Sequence, residues 1–448
     1  MSDHQVVVPE GDDEFLSEHT ISMRRALRYC QSLELPLSVD LDESERCNAN
    51  QETVQSLRAD AARLFWSHQP NPTMEYVDAS AVSPEDFRSS FHRKNIPCVI
   101  RGLDQTFFKS LVEKWRKPDG SVNREWFLEN LGAERVVPVR VQPKAPASLD
   151  EDGRAEECQT QNMPLKEWVS IIEVDNSSSA SSSSLYLKDW HLQLLVEDIG
   201  SDQLYDCPHH LNFDLLNNLQ RNFTRGDYRF CYWGAANSYT PRHSDVLHSF
   251  SWSFNVVGTK KWTFYSPLHD DQRIQVIQRS GECMFVPSEW QHDVVNLEET
   301  ISVNHNWITP ANVDRTMECL RADMAAVEKE MHSWGIEQCW NSLESMLRGT
   351  SGLDITALFT MICLGLLKLL CQDQDCQELD SPSDSEPPSS WEIFRLSNAL
   401  EILLEDESIN LASRLQATLD SDSLGRQGIG LARRVLALVS QSSESCNG

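Results

Sequence analysis

Three things are scarce in this chain. None of its 13 cysteines stands in a C-x-x-C pair, which excludes the zinc ribbons and zinc-based chromatin readers built on such pairs. They are also too sparse for the disulfide scaffold of a small secreted domain. Basic residues are few: 39 Lys plus Arg against 68 Asp plus Glu leave a formal net charge of -29. A surface that wraps a phosphate backbone needs clustered positive charge, so direct nucleic-acid binding is not expected. Long apolar runs are missing too. The most membrane-like stretch, Ile355 to Leu370, carries Lys368 and falls short of the roughly 20 residues a span requires. It reads as a buried helix, and no membrane partner is expected. The opening MSDHQVVVPEGDDEF has neither the positive start nor the apolar stretch of a signal peptide. Reduced thiols and a cytoplasmic location are the expectation, with the nucleus left open.

What is present is enough apolar residue, 40% of 448, for a sizeable core. Residues 1–73 read as an acidic, partly helical extension, with helices over Ser22 to Leu35 and Gln51 to Ser67. Residues 74–310 read as one enlarged β-rich region whose core starts near 185, and residues 311–370 as a helical region. Residues 371–390 hold six acidic residues, three prolines and no basic residue, which predicts a flexible linker. Residues 391–448 return to helical periodicity.

Within the β-rich region, FCYWGA, HSFSWSFNVVG, KKWTFYSP, ECMFVP and ISVNHNWI are short aromatic and β-branched runs parted by turns. That spacing predicts an antiparallel sheet or barrel. Ala145 to Met163 and the interval between Pro267 and Gly281 read as polar loops. Trp252, Trp262 and Trp307 read as core aromatics.

The chemistry centres on Ser238 to Pro267. His243 and Asp245 are two apart, and on an extended strand such residues share a face. His292, after the Pro-containing turn in VPSEWQHDV, offers a third ligand. Two histidines and a carboxylate suit octahedral iron with positions left for substrate and oxygen; zinc accepts the same set. His191, His209, His210, His248 and His305 are competing histidines without that pattern. Gly258 and Thr259 form a turn, and Lys260 can alternate with Trp262 and Phe264 on one face. A lysine among aromatics needs a partner, though either Lys260 or Lys261 would also serve as a solvent-facing hairpin charge.

The series Y-x-x-x-H-x-D (Tyr239 to Asp245), S-W-x-x-N-V-x-G-x-K-K-W (Ser251 to Trp262), F-V-P-S-x-W-x-H (from Phe285) and T-I-S-x-N-H-N-W (Thr300 to Trp307) resembles the JmjC-domain oxygenases, in particular their small hydroxylase-type members. NIPCVIRG and LYLKDWHL extend the likeness. The resemblance implies a mainly β core with added helices: a double-stranded β-helix, or cupin-like barrel, between N- and C-terminal helical regions. It implies Fe(II) as metal, with 2-oxoglutarate and O2 as cosubstrates, and His243, Asp245 and His292 as catalytic metal ligands. By the same resemblance Lys260, Thr240, Tyr186 and Asn304 fall on the 2-oxoglutarate-contacting positions. A protein substrate is implied, namely a lysine side-chain carbon of the eukaryotic translation termination (release) factor. Lysine demethylation, a non-enzymatic scaffold on the same fold, and a zinc or manganese cupin acting on small molecules are the alternatives. The apolar stripes of the C-terminal helices suit either a cover for the barrel or a dimer contact, so the oligomeric state stays open.

Overall fold

The computed structural model describes residues 73–143, 159–177, 183–198, 204–220, 227–267, 272–336, 339–370, 390–406, 409 and 411. The expected N-terminal helices and nearly all of the acidic linker lie outside the described residues. The chain divides into a β unit, residues 56–212 and 227–307, and a second unit, residues 1–55, 213–226 and 308–448.

The β unit contains thirteen described strands: β1 Glu75–Asp78, β2 Cys98–Arg101, β3 Val136–Pro143, β4 Gln159–Pro164, β5 Ser183–Trp190, β6 Arg229–Gly234, β7 Tyr239–His243, β8 Phe250–Val257, β9 Lys260–Tyr265, β10 Arg273–Gln278, β11 Cys283–Val286, β12 Gln291–Asn296 and β13 Thr300–Trp307. They form two sheets, ordered β1-β2-β11-β8-β13-β6-β5-β3-β4 and β10-β9-β12-β7. From β6 onward the chain folds about β9 and β10, which pair antiparallel. On either side of them, β8 meets β11, β7 meets β12 and β6 meets β13. Each step outward from β9 and β10 changes sheet, so this is the double-stranded β-helix expected from the motifs.

Burial explains the strand assignment. All eight residues of β8 are buried, as befits a strand covered on both faces. β10, RIQVIQ, buries Ile274, Val276 and Gln278 and leaves the residues between them more open, the period-2 signature of a half-covered strand. The structure here corrects the sequence reading twice. The interval after Pro267 contains β10, and the stretch ending at Met163 contains most of β4; β4 is exposed from Gln159 to Asn162 and β10 is half-covered, so neither presents the continuous apolar run by which the other strands are recognised. Between the sheets, Val99, Trp262, Phe264, Ile274, Val276, Met284, Val286, Trp290 and Val294 form one apolar cluster. Trp252, Trp262 and Trp307 are all buried.

A further correction concerns Gly258. β8 lies in the larger sheet and β9 in the smaller one, so the turn between them is a corner and not a hairpin. It directs Lys260 into the interior, and Lys260 is only 1% exposed.

The second unit is helical, with helices Val313–Ser333, Trp340–Ser351, Ile355–Leu370 and Ser390–Glu405. Arg395 donates to Asp314 at 2.6 Å, both side chains being nearly buried. The Ile355–Leu370 helix is largely buried. No single helix among the described residues is long and apolar enough to cross a membrane.

Candidate metal centre

His243 closes β7, and His292 is the second residue of β12. The pairing of these strands sets the two residues directly opposite each other, with ring centroids 4.4 Å apart. Asp245 does not sit on the strand with His243, as the two-residue spacing suggests. The strand ends at His243, and Asp245 caps the short 3-10 turn Val246–His248. Its backbone is nevertheless extended (φ -64°, ψ 147°), which keeps its carboxylate on the same side. His243 Nε2 and Asp245 Oδ1 are 3.9 Å apart, and one ligand atom from each of His243, Asp245 and His292 lies within 4.8 Å of the others.

Each ligand is held by its neighbours. His243 Nδ1 lies 2.9 Å from the Pro241 carbonyl and His292 Nδ1 3.0 Å from the Trp290 carbonyl. With Nδ1–H donated to those carbonyls, both Nε2 lone pairs are free to bind a metal. Burial, and then the adjacent His292, push the His243 imidazole down to about 4 despite the pull of Asp245, so the ring is neutral at physiological pH. Ser251 Oγ donates to Asp245 Oδ2 at 2.6 Å, which leaves Oδ1 toward the histidines. Trp262 and Phe264 wall His292, at 5.5 and 5.8 Å between ring centroids.

Sequence reasoning missed Ser251, although a signal exists. In S-W-S-F-N, polar Ser251, Ser253 and Asn255 alternate with Trp252 and Phe254, marking one polar face on a fully buried strand. Ser251→Ala is expected to weaken Mn(II) binding by about 10–100-fold, the range for losing a residue that orients a ligand. A titration followed by paramagnetic resonance measures this, and unchanged affinity would dismiss the role of Ser251.

Farther in, Lys260 Nζ donates to Ser302 Oγ at 2.6 Å, Ser302 Oγ donates to Asn304 Oδ1 at 2.9 Å, and Ser253 Oγ donates to the same Oδ1 at 3.2 Å. Burial depresses the Lys260 ammonium to about 7, and no carboxylate among the described residues offsets it. Tyr186 is buried, with Asn296 and Thr240 at its hydroxyl; burial raises its pKa, while those two contacts oppose the rise. Thr240 lies on β7 opposite Val294. The structure thus gathers Lys260 with Asn304, and Tyr186 with Thr240. Ser302 and Asn296 belong to the same polar lining, and sequence reasoning does not single them out.

Two imidazoles and a carboxylate fit a first-row divalent metal such as iron, and a buried lysine without a counter-anion fits a dicarboxylate ligand. Comparison with known proteins agrees. The cupin-like domain family matches residues 84–272 and the JmjC domain, hydroxylase, matches residues 269–307. Fold and site together define an Fe(II)- and 2-oxoglutarate-dependent oxygenase of the JmjC type. The 2-oxoglutarate and iron-dependent oxygenase JMJD4 of Danio rerio is 30% identical over 333 residues, covering 65% of this chain and 74% of that protein. Its Homo sapiens counterpart is 27% identical over 361 residues, 73% of this chain and 84% of that protein. The chain belongs to this JMJD4 family of 2-oxoglutarate and iron-dependent oxygenases. The Arabidopsis thaliana arginine-specific demethylase JMJ20 is also similar, 30% identical over 302 residues, 58% of this chain and 62% of that protein.

Proposed function

We propose that the protein hydroxylates a lysine side-chain carbon of the eukaryotic translation termination (release) factor. The observation that carries the reaction class is the convergence of His243, Asp245 and His292 beside a buried, uncompensated Lys260. The choice of substrate rests on the likeness of the motifs to the hydroxylase-type members of the family. When bound, iron with 2-oxoglutarate and O2 supplies oxidative decarboxylation of the oxoacid to succinate and CO2, coupled to insertion of oxygen into a C–H bond.

In this reading the chain's own residues bind and orient. His243, Asp245 and His292 would hold the metal and leave coordination positions for the reactants. Lys260 receives the distal carboxylate of 2-oxoglutarate, with Ser302 and Asn304 steadying the ammonium. Tyr186 and Thr240 present hydroxyls to the same cosubstrate. Trp262 and Phe264 keep bulk water from the His292 side. The cytoplasm suits a release-factor substrate, and the buried Cys98, Cys231, Cys283 and Cys363, which form no disulfide, suit a reducing compartment.

Demethylation of a protein side chain is the second reading, favoured by the similarity to JMJ20. Recombinant release factor incubated with enzyme, Fe(II), 2-oxoglutarate and O2 separates them by fragment mass. A lysine heavier by one oxygen, with matched succinate, is the expected result. Formaldehyde release and loss of one methyl increment from a methylated peptide would establish demethylation instead.

A further inference from the structure

We propose that Asn95, far in sequence from every metal ligand, is a positioning residue for the metal centre, clamping the two segments that carry Asp245 and His292. Its carboxamide bonds both backbone groups of one residue. Nδ2 donates to the Ser288 carbonyl at 2.9 Å, and Oδ1 accepts the Ser288 N–H at 2.9 Å. The Asn95 carbonyl accepts the Trp290 indole N–H at 3.0 Å. From these two contacts the connection branches to both sides of the site.

On one side, the carbonyl of Trp290 is the partner of His292 Nδ1. A shift of Trp290 therefore rotates the imidazole that binds the metal. On the other side, the buried Ser288 Oγ donates to the His248 carbonyl. His248 ends the short turn whose cap is Asp245. Ser288 is thus the joint between the two ligand-bearing segments, and Asn95 holds its backbone.

The clamp is needed because these segments are strained. Leu247, His248 and Glu289 have φ of 58°, 47° and 67°, a region that non-glycine residues enter only when their surroundings hold them there. Asn95 has φ 56°, which asparagine tolerates better than most residues. Its side chain is also the fitting one: an amide carries a donor and an acceptor side by side, whereas aspartate lacks the donor and serine lacks the reach.

The test is Mn(II) titration of the full-length protein followed by paramagnetic resonance. Asn95→Gly keeps the positive φ and the backbone carbonyl that accepts the Trp290 indole, and removes the carboxamide bonds to Ser288. Asn95→Asp keeps the shape and loses the donor. As a control, Asn123→Ala removes a carboxamide bond to the Lys114 carbonyl, away from the site. Asn95→Gly is expected to weaken Mn(II) binding by about tenfold or more, as loss of an outer-shell partner does, and to broaden the bound spectrum. The affinity of the Asn123→Ala protein stays at the parent value. Folded Asn95→Gly protein with parental Mn(II) affinity overturns the proposal. If Asn95→Gly does not fold, Asn95→Asp decides in the same way: weakened binding supports the clamp and parental binding refutes it. The titration uses no protein substrate, so its outcome is independent of the release-factor reading.

Discussion

Lys260→Met should yield a protein that is more stable than the parent and, on the proposed role of this lysine, binds 2-oxoglutarate roughly a hundredfold or more weakly. The lysine is 1% exposed, and its ammonium donates to the Ser302 hydroxyl. An ammonium in that position has lost its water and gained no anion. Burial brings it from 10.5 to about 7. The sign of the pH effect follows from this. Between those two values the unfolded chain keeps a proton that the folded chain releases, so stability of the cosubstrate-free protein rises with pH across that window. Below pH 7 both states are protonated and the penalty is felt in full, on the order of 5 kcal/mol at one pKa unit per 1.36 kcal/mol. Methionine has a similar length and no charge, so the variant should gain stability near neutrality and lose much of the pH slope. Urea unfolding at pH 7, 8 and 9 measures both effects. Binding should respond in the opposite direction: leaving the distal carboxylate unpaired in a buried site costs about 3–5 kcal/mol, roughly a hundredfold or more in affinity. A Lys260→Met variant less stable than the parent at pH 7, with the parent's pH slope, would refute the account of an uncompensated lysine.

Gly258→Ala is the second large effect, this time on the fold. Gly258 has φ +83°, and a Cβ there would stand 2.1 Å from the Glu299 carbonyl oxygen and 2.8 Å from Thr300 Cγ2. The carbonyl is backbone and cannot swing aside. The residue is also the corner between β8 and β9, and Asn255 Nδ2 donates to its carbonyl at 2.6 Å. Positive φ alone costs an alanine about 1–3 kcal/mol, and the collision adds to that. For a unit of this size, about 3 kcal/mol lowers the melting temperature by roughly 6–12 °C. Gly120 is the control. It has φ +88° but nothing within 4 Å of a built Cβ, so Gly120→Ala should show the backbone cost alone. Equal melting temperatures for the two variants would remove the steric part of the argument.

Much of the site is legible in the amino-acid sequence, because its chemistry is written in local pattern. His243, Asp245 and His292 stand inside motifs whose residues lie close together in the chain. The alternation of Lys260, Trp262 and Phe264 is a property of one strand. Strands are evident wherever the runs are aromatic and continuous, as in β8 and β13. They are hidden in β4, where polar residues predominate, and in β10, where half the residues face outward. The turn after β8 is visible as a glycine, but its role as a corner is not, since hairpins and corners use the same residues.

The sequence by itself determined which side chains can bind a metal and which strands are buried. Both depend on residue type and short periodicity, and those act over a few residues. Only the tertiary structure decided that His292 faces His243, that Lys260 rather than Lys261 lines the interior, and that Asp245 reaches the site from a turn. These follow from pairing between strands distant in the chain, where register is set by the packing of whole sheets. The clamp at Asn95 is the extreme case. Asn95 opens the NIPCVIRG run, but that run does not connect it to a metal ligand, because its partners reach it only after the β-helix has closed.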